Sequence, residues 1–171
     1  ALIMIKIPLT LGLILSLNIT AAQGLWIDSK DKTLPVDFKI QGEYMGELSC
    51  GCNMGAQVIA LGGGAFQLVL YPGGLPGDGW DRDGERSIYN GKLDGKQAHF
   101  TSATGSLKYL SGGAQFSAVT SFPPNGQKDG SAVITKGKLT GSYGKKEFEL
   151  KRIERKSPTI GAKPPKGAIV L

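Results

Sequence analysis

Read for where its apolar side chains fall, the chain divides into three stretches of different rhythm. The first opens with Met4-Ile5-Lys6 and continues as an uncharged apolar run from Ile7 to Ile19, closed by the small residues of Thr20-Ala21-Ala22-Gln23-Gly24. A short positive segment, an apolar core and a small-residue site form the pattern of a secretory signal peptide, so residues 1–22 are expected to be cut off after Ala22. A transmembrane helix needs about 20 apolar residues. This run is shorter and interrupted by Pro8, Gly12 and Asn18, so an uncleaved anchor is the weaker reading and no stable membrane span is expected after cleavage. Ala1 precedes a suitable start at Met4, which reads as a fragment of an open reading frame.

After a lead-in over residues 23–35, the second stretch, 36–156, alternates in steps of two. Phe66, Leu68 and Leu70 fall on one strand face and Gln67, Val69 and Tyr71 on the other. Gln57 to Leu61 forms the strand before it, joined through Gly62-Gly63-Gly64, which can take the positive φ angles of a tight hairpin. Ile88 to Leu93 and Lys96 to Thr101 flank Asp94-Gly95, a type I′ hairpin signal. Leu107 to Leu110 and Gln115 to Phe122 flank Ser111-Gly112-Gly113, and Ala132 to Lys136, Lys138 to Gly141 and Glu147 to Arg152 complete the set. In the last, Phe148 and Leu150 face one way, Glu147, Glu149 and Lys151 the other, and Ile153 breaks phase at a bulge or strand end. No window holds a sustained helical period. Short connections favour antiparallel neighbours. The expected fold is therefore all-β: an antiparallel meander forming a small up-and-down barrel or a two-layer sandwich. Gly91 to Gly95 echoes Gly137 to Gly141, which reads as two hairpins sharing one turn chemistry.

The third stretch, 157–171, is a linker stiffened by Pro158, Pro164 and Pro165. It runs into Ala168-Ile169-Val170-Leu171, which reads as the start of another strand, so a downstream domain is expected.

Composition sharpens this picture in three places. The 26 glycines among 171 residues are about twice the usual share, which tells against a helical bundle. Two cysteines and one histidine exclude a disulfide-stapled scaffold and a His-rich metal site. The net charge of +6 is uneven: residues 128–171 hold 11 basic and 4 acidic side chains, against 9 and 10 in residues 1–127. A basic segment can bind nucleic acid. In an exported chain without interleaved aromatics it reads better as a solvated strand face and linker, so no nucleic-acid partner is expected.

The densest polar stretch is Tyr71 to Arg86, with four acids, Trp80 and five glycines. Calcium wants several oxygen ligands, but an EF-hand alignment puts Gly79 at the first ligand and Asn90 at the twelfth, so the motif fails. Saccharide contact would use Trp80 or Tyr71 as a stacking face and Asp78 or Asp81 as hydroxyl acceptors. The blander reading has glycine and proline shaping a fixed loop while Trp80 plugs one end of the barrel. Asp81 and Asp83 as a glycosidase pair would need carboxyls about 5 to 10 Å apart with one in an apolar setting. Neighbours flanked by Arg82 and Arg86 read as solvated. Cys50-Gly51-Cys52 lacks the second pair that zinc requires. A disulfide between residues two apart would be strained, though an exported protein could oxidise them, and the two are read instead as loop thiols without a special role, or one pairing with a missing domain. His99 lies opposite Ala98 and Phe100, towards solvent, and no Gly-x-Ser-x-Gly elbow is present. No catalytic residue, metal ligand or cofactor is assigned. The candidate ligand-binding residues are Tyr71, Asp78, Trp80 and Asp81.

Four segments carry a family resemblance: Gly42-Glu43-Tyr44-Met45-Gly46-Glu47, Val58 to Gly62, Leu70-Tyr71-Pro72-Gly73-Gly74-Leu75-Pro76-Gly77-Asp78-Gly79-Trp80-Asp81, and Phe148 to Pro165. Over about residues 38–171 the chain resembles the N-terminal domain that precedes a 3-keto-disaccharide hydrolase domain in exported bacterial proteins. The resemblance implies a downstream concanavalin-like jelly roll acting on oxidised sugars, whose catalytic residues have no positions here. Cys50-Gly51-Cys52 has no counterpart in it. The expectation is a non-catalytic accessory domain of an exported, periplasmic or extracellular, carbohydrate-active protein, with saccharide and the downstream hydrolase domain as partners. The alternatives are a free-standing small-ligand-binding barrel and a glycoside-cleaving enzyme using the loop carboxylates.

Overall fold

A computed structural model describes residues 28, 30–104, 122–156, 163 and 166. The signal peptide expected at 1–22, the strands expected at 107–110 and 115–121, and nearly all of the linker expected at 157–171 lie outside them. The chain divides into two compact units, Ala1–Lys32 and Thr33–Leu171. In the first, the Asp28 carboxylate accepts from the Lys30 N–H at 2.8 Å, closing a short turn. The second contains the sheet.

Alternation of apolar and polar residues gives strands β1 (Gly42–Leu48), β2 (Asn53–Gly62) and β3 (Ala65–Pro72), then the two-residue strands β4 (Leu75–Pro76) and β5 (Gly79–Trp80). The series continues with β6 (Ser87–Asp94), β7 (Gln97–Ser102), β8 (Ser131–Thr135), β9 (Lys138–Tyr143) and β10 (Lys146–Ile153). Among the described residues, eight of these close into an antiparallel barrel in the order β1-β10-β9-β8-β7-β6-β3-β2. Each strand pairs with its neighbour in sequence, and the pairing of Glu43 with Ile153 through to Leu48 with Phe148 shuts the ring. The fold is an up-and-down barrel, not a sandwich. β4 and β5 pair only with each other, in parallel, within the loop that links β3 to β6.

An eight-stranded barrel has an interior about wide enough for side chains. Tyr44, Met54, Phe66, Leu68, Leu70, Tyr89, Phe100, Leu139 and Leu150 are all at most 1% exposed and belong to one cluster there. Burying such a side chain contributes about 1.5–3 kcal/mol each, an upper figure for a compact unfolded chain. The narrow ring also needs an empty position. Gly91 pairs with Phe66 on one side and Phe100 on the other, and a Cβ there would collide with the Phe100 ring. Glycine lets the two rings meet, with centroids 6.2 Å apart.

Two elements escape the alternation. Helix α1 (Val36–Ile40) follows Pro35 and is too short to show a period. Its Val36 and Ile40, four apart and so on one face, pack onto the barrel core at the end where β1 begins. The Tyr44 hydroxyl donates to the Ile40 carbonyl at 2.5 Å, and burial pushes that phenol up to about 12. β1 itself was not marked by the pattern, because Gly42 and Gly46 interrupt it. Turn chemistry differs as well. At Gly95-Lys96 only Gly95 has positive φ, the type II′ arrangement, whereas Lys136-Gly137 has φ of 51° and 76°, as type I′ requires. The two hairpins of the Gly91 and Gly137 echo therefore do not share one turn chemistry: the first copy ends in a turn and the second begins in one. Phe122 is not in a strand, while β10 does end at Ile153.

Candidate functional site

The inward phase of β3 carries Phe66, Leu68 and Leu70, so Val69 and Tyr71 point to the outer wall. There they form a second, smaller cluster with Ile88 and Ala103, against which Trp80 and Phe122 pack. Tyr71 and Trp80 meet edge to face, with centroids 5.0 Å apart and planes at 66°. The Trp80 indole N–H donates to the Glu85 carbonyl at 3.1 Å, satisfying its one polar atom inside the loop.

That loop is folded flat on the barrel. Gly73 N–H donates to the Asn53 carbonyl of β2 at 2.8 Å, and Leu75 and Asp78 exchange N–H to C=O bonds at 2.9 and 2.8 Å. Leu75 is fully buried. Gly74 has φ of 142°, and a Cβ on it would strike the Asp78 carbonyl. Only glycine fits. Gly55 of β2 lies beneath, where any Cβ would strike the Gly74 carbonyl.

A chain of polar contacts ties the loop to the first and last strands. The Tyr71 hydroxyl donates to Gln57 Oε1 at 2.9 Å, and Gln57 Nε2 donates to Glu43 Oε1 at 3.0 Å. Arg155 Nε donates to Glu43 Oε2 at 2.6 Å, Nη2 to the other oxygen, and Nη1 to the Pro76 carbonyl at 2.9 Å. The sequence of contacts thus begins at the loop's tryptophan and returns to the loop's proline. The Arg155 hydrogen bonds hold the Glu43 carboxyl below its ordinary value against the opposing effect of burial, with help from Gln57. Burial raises the Tyr71 phenol, which keeps it a donor at neutral pH.

Of the four sequence candidates, Tyr71 and Trp80 are brought together; Tyr71 is buried and Trp80 partly so. Asp78 and Asp81 are exposed on the same loop. Asp81 accepts from the Asp83 N–H at 3.1 Å and, through its carbonyl, from the Gly84 N–H at 2.8 Å, so it shapes a turn. Trp80 does not plug the barrel's end; it lies on the outer wall because Tyr71 belongs to the outward phase of β3. Asp81 and Asp83 stand exposed rather than in an apolar cleft. His99 is exposed and outward, between Ala98 and Phe100, which are buried. Cys50 and Cys52 are joined to each other as a disulfide across the β1–β2 turn, Cα atoms 5.5 Å apart, the alternative ranked below loop thiols or a pairing with a missing domain. Among the described residues, no group of three or more His, Cys, Asp or Glu is arranged to hold a metal ion.

Sequence reasoning missed Glu43, Gln57, Arg155 and Gln127. Glu43 and Gln57 face each other directly across β1 and β2, a relationship that appears only once register is known. Gln127 spans the start of β6 with its side-chain amide. Its Oε1 accepts from the Ile88 N–H at 2.9 Å and its Nε2 donates to the Ile88 carbonyl at 2.8 Å, replacing the rung a strand would supply.

Comparison of the chain with protein-family models, with curated proteins and with solved structures finds no match.

Proposed function

We propose that this chain is a non-catalytic accessory domain of an exported carbohydrate-active protein, with the loop from Gly73 to Arg86 as its saccharide-contacting face. One observation carries the reading. Trp80, braced edge-on by Tyr71, sits on a loop clamped to the barrel, and exposed Asp78 and Asp81 lie on the same loop. An aromatic side chain beside carboxylate acceptors is the chemistry that a polyhydroxylated ring, apolar on its faces and polar at its rim, calls for. The Leu70 to Asp81 run adds support through its resemblance to the domain preceding 3-keto-disaccharide hydrolases. That resemblance also implies a downstream jelly-roll domain of the same polypeptide as a partner.

The competing readings fare worse on physical grounds. A ligand enclosed in the lumen needs space that Phe66, Leu68, Leu70, Phe100 and Phe148 occupy. Glycoside cleavage needs a carboxyl in an apolar setting, and those of Asp81 and Asp83 face solvent.

Calorimetric titration of the 171-residue chain with disaccharides and their 3-keto derivatives tests the proposal. Binding weakened about tenfold by Trp80→Ala is expected, equivalent to about 1.4 kcal/mol. No heat with any saccharide, or an unaffected Trp80→Ala variant, overturns it.

A further inference from the structure

Among the described residues, no helix closes the end of the barrel opposite α1. A cavity of about 480 Å³ opens there, between the ends of β1, β3 and β9 and the start of β10. Leu48, Pro72 and the ring of Tyr143 give it an apolar wall. Tyr143 follows the inward phase of β9, after Leu139 and Gly141, and is 8% exposed. Its hydroxyl is buried without a hydrogen-bond partner, the one such side-chain atom among the described residues. Ser87 and Glu85 are its polar neighbours, and burial raises the phenol, so the group is a donor at neutral pH.

A buried hydroxyl without a hydrogen-bond partner, on a side chain that lines an apolar cavity, is costly unless something supplies an acceptor. The rim shows what charge that acceptor would carry. Lys128, Lys145 and Lys146 stand at it against a single carboxylate, Glu85. Lys128 leans on Glu85 at 3.6 Å, while Lys145 and Lys146 are exposed and have no ion pair among the described residues. Lys146 shares the inward phase of Phe148 and Leu150, so its stem starts at the mouth of the barrel. Lysine stems can cover apolar surface while their ammonium groups stay in water.

We infer that this end of the barrel binds a small amphipathic organic anion, its apolar body against Leu48, Pro72 and the Tyr143 ring. An acceptor oxygen of that anion takes the Tyr143 hydroxyl, and its negative group lies among Lys128, Lys145 and Lys146. The site adjoins the saccharide loop, sharing Gly73 and Glu85 with it, but none of Tyr71, Asp78, Trp80 and Asp81 lines it.

The probe is 8-anilinonaphthalene-1-sulfonate, an aromatic body with one anionic head, and its uncharged counterpart is N-phenyl-1-naphthylamine. Titrated into the 171-residue chain, the sulfonate is expected to saturate one site and to bind about tenfold tighter than the uncharged dye. The double variant Lys145→Gln/Lys146→Gln, altered only at exposed side chains, should lose most of that advantage. Tyr143→Phe should weaken the sulfonate about threefold to tenfold, and Lys151→Gln on the outer face should change nothing. Equal binding of both dyes, sulfonate binding indifferent to the double variant, or no saturable binding overturns the inference. Near-ultraviolet circular dichroism of each variant shows that the sulfonate reports a folded barrel.

Discussion

Arg155, two residues past the last strand, grips Glu43 of the first strand with two of its nitrogens, Nε to Oε2 at 2.6 Å, across 112 residues of sequence. Its third nitrogen reaches the Pro76 carbonyl at 2.9 Å, so one side chain both spans the seam that closes the barrel and holds the loop down. The pair is partly solvated, with side chains 36% and 24% exposed. Its net contribution to global stability is therefore small, about 1 kcal/mol or less. Its consequence is local. Arg155→Ala should speed hydrogen exchange at the Leu75 and Asp78 amides, which bond to each other in the loop, while leaving the Leu68 amide protected. Unchanged protection of the loop amides would show that the clamp is idle.

The same pair sets an acid response. Arg155 holds Glu43 below its ordinary 4.5, so the folded chain binds that proton more weakly than the unfolded chain does. The stabilisation is complete above 4.5 and is lost as pH falls through the lowered folded value. Thermal melts of the parent and Glu43→Gln should differ by a constant, small amount near neutral pH and converge below 4.5. A difference that grows on acidification would contradict this sign.

Gly91 is where the core is tightest. Gly91→Ala places a methyl group in the Phe100 ring, and overpacking of this kind costs about 1–3 kcal/mol. Urea melts should show that loss, and Phe100→Leu added to Gly91→Ala should recover part of it. Additive losses in the double variant would mean that the two positions do not share one space.

Gln127 acts as a strand rung without a strand. Gln127→Ala leaves the Ile88 N–H without its partner, at about 1–3 kcal/mol for an unsatisfied buried group, while the Ile88 carbonyl keeps its bond from the Ala103 N–H at 2.9 Å. Exchange at the Ile88 amide should accelerate in step with the fall in stability. An Ile88 amide as protected as before would show that another group supplies the rung.

What the sequence made legible follows from how local each signal is. β3, β6, β7, β8, β9 and β10 announce themselves because alternation and turn glycines lie within a few residues of each other, as in Phe66-Leu68-Leu70 after Gly62-Gly63-Gly64. Closure was not legible. It depends on β1 meeting β10, and β1 reads poorly because Gly42 and Gly46 hide the inward series of Tyr44 and Leu48. α1 spans five residues, less than two turns, so no period could mark it. At the candidate site, residue types alone picked out Tyr71 and Trp80, and alternation set Tyr71 on the opposite strand face from the core. The supporting contacts of Gln57, Glu43 and Arg155 run between strands, where register rather than spacing decides who meets whom. Tyr143 carried no signal at all, since an inward tyrosine at a strand's end looks like any core residue until its hydroxyl is found without a partner.

The central claim is that saccharide meets the outer wall at the clamped loop, and two-dimensional nitrogen-proton NMR of the 171-residue chain during saccharide titration tests it most directly. The account predicts shifts of the Trp80 indole N–H and of the Asp78 and Asp81 amides, with Leu68 and Phe100 in the packed interior unmoved. Shifts centred instead on Tyr143 and Gly144, or a spectrum that no saccharide perturbs, would contradict it.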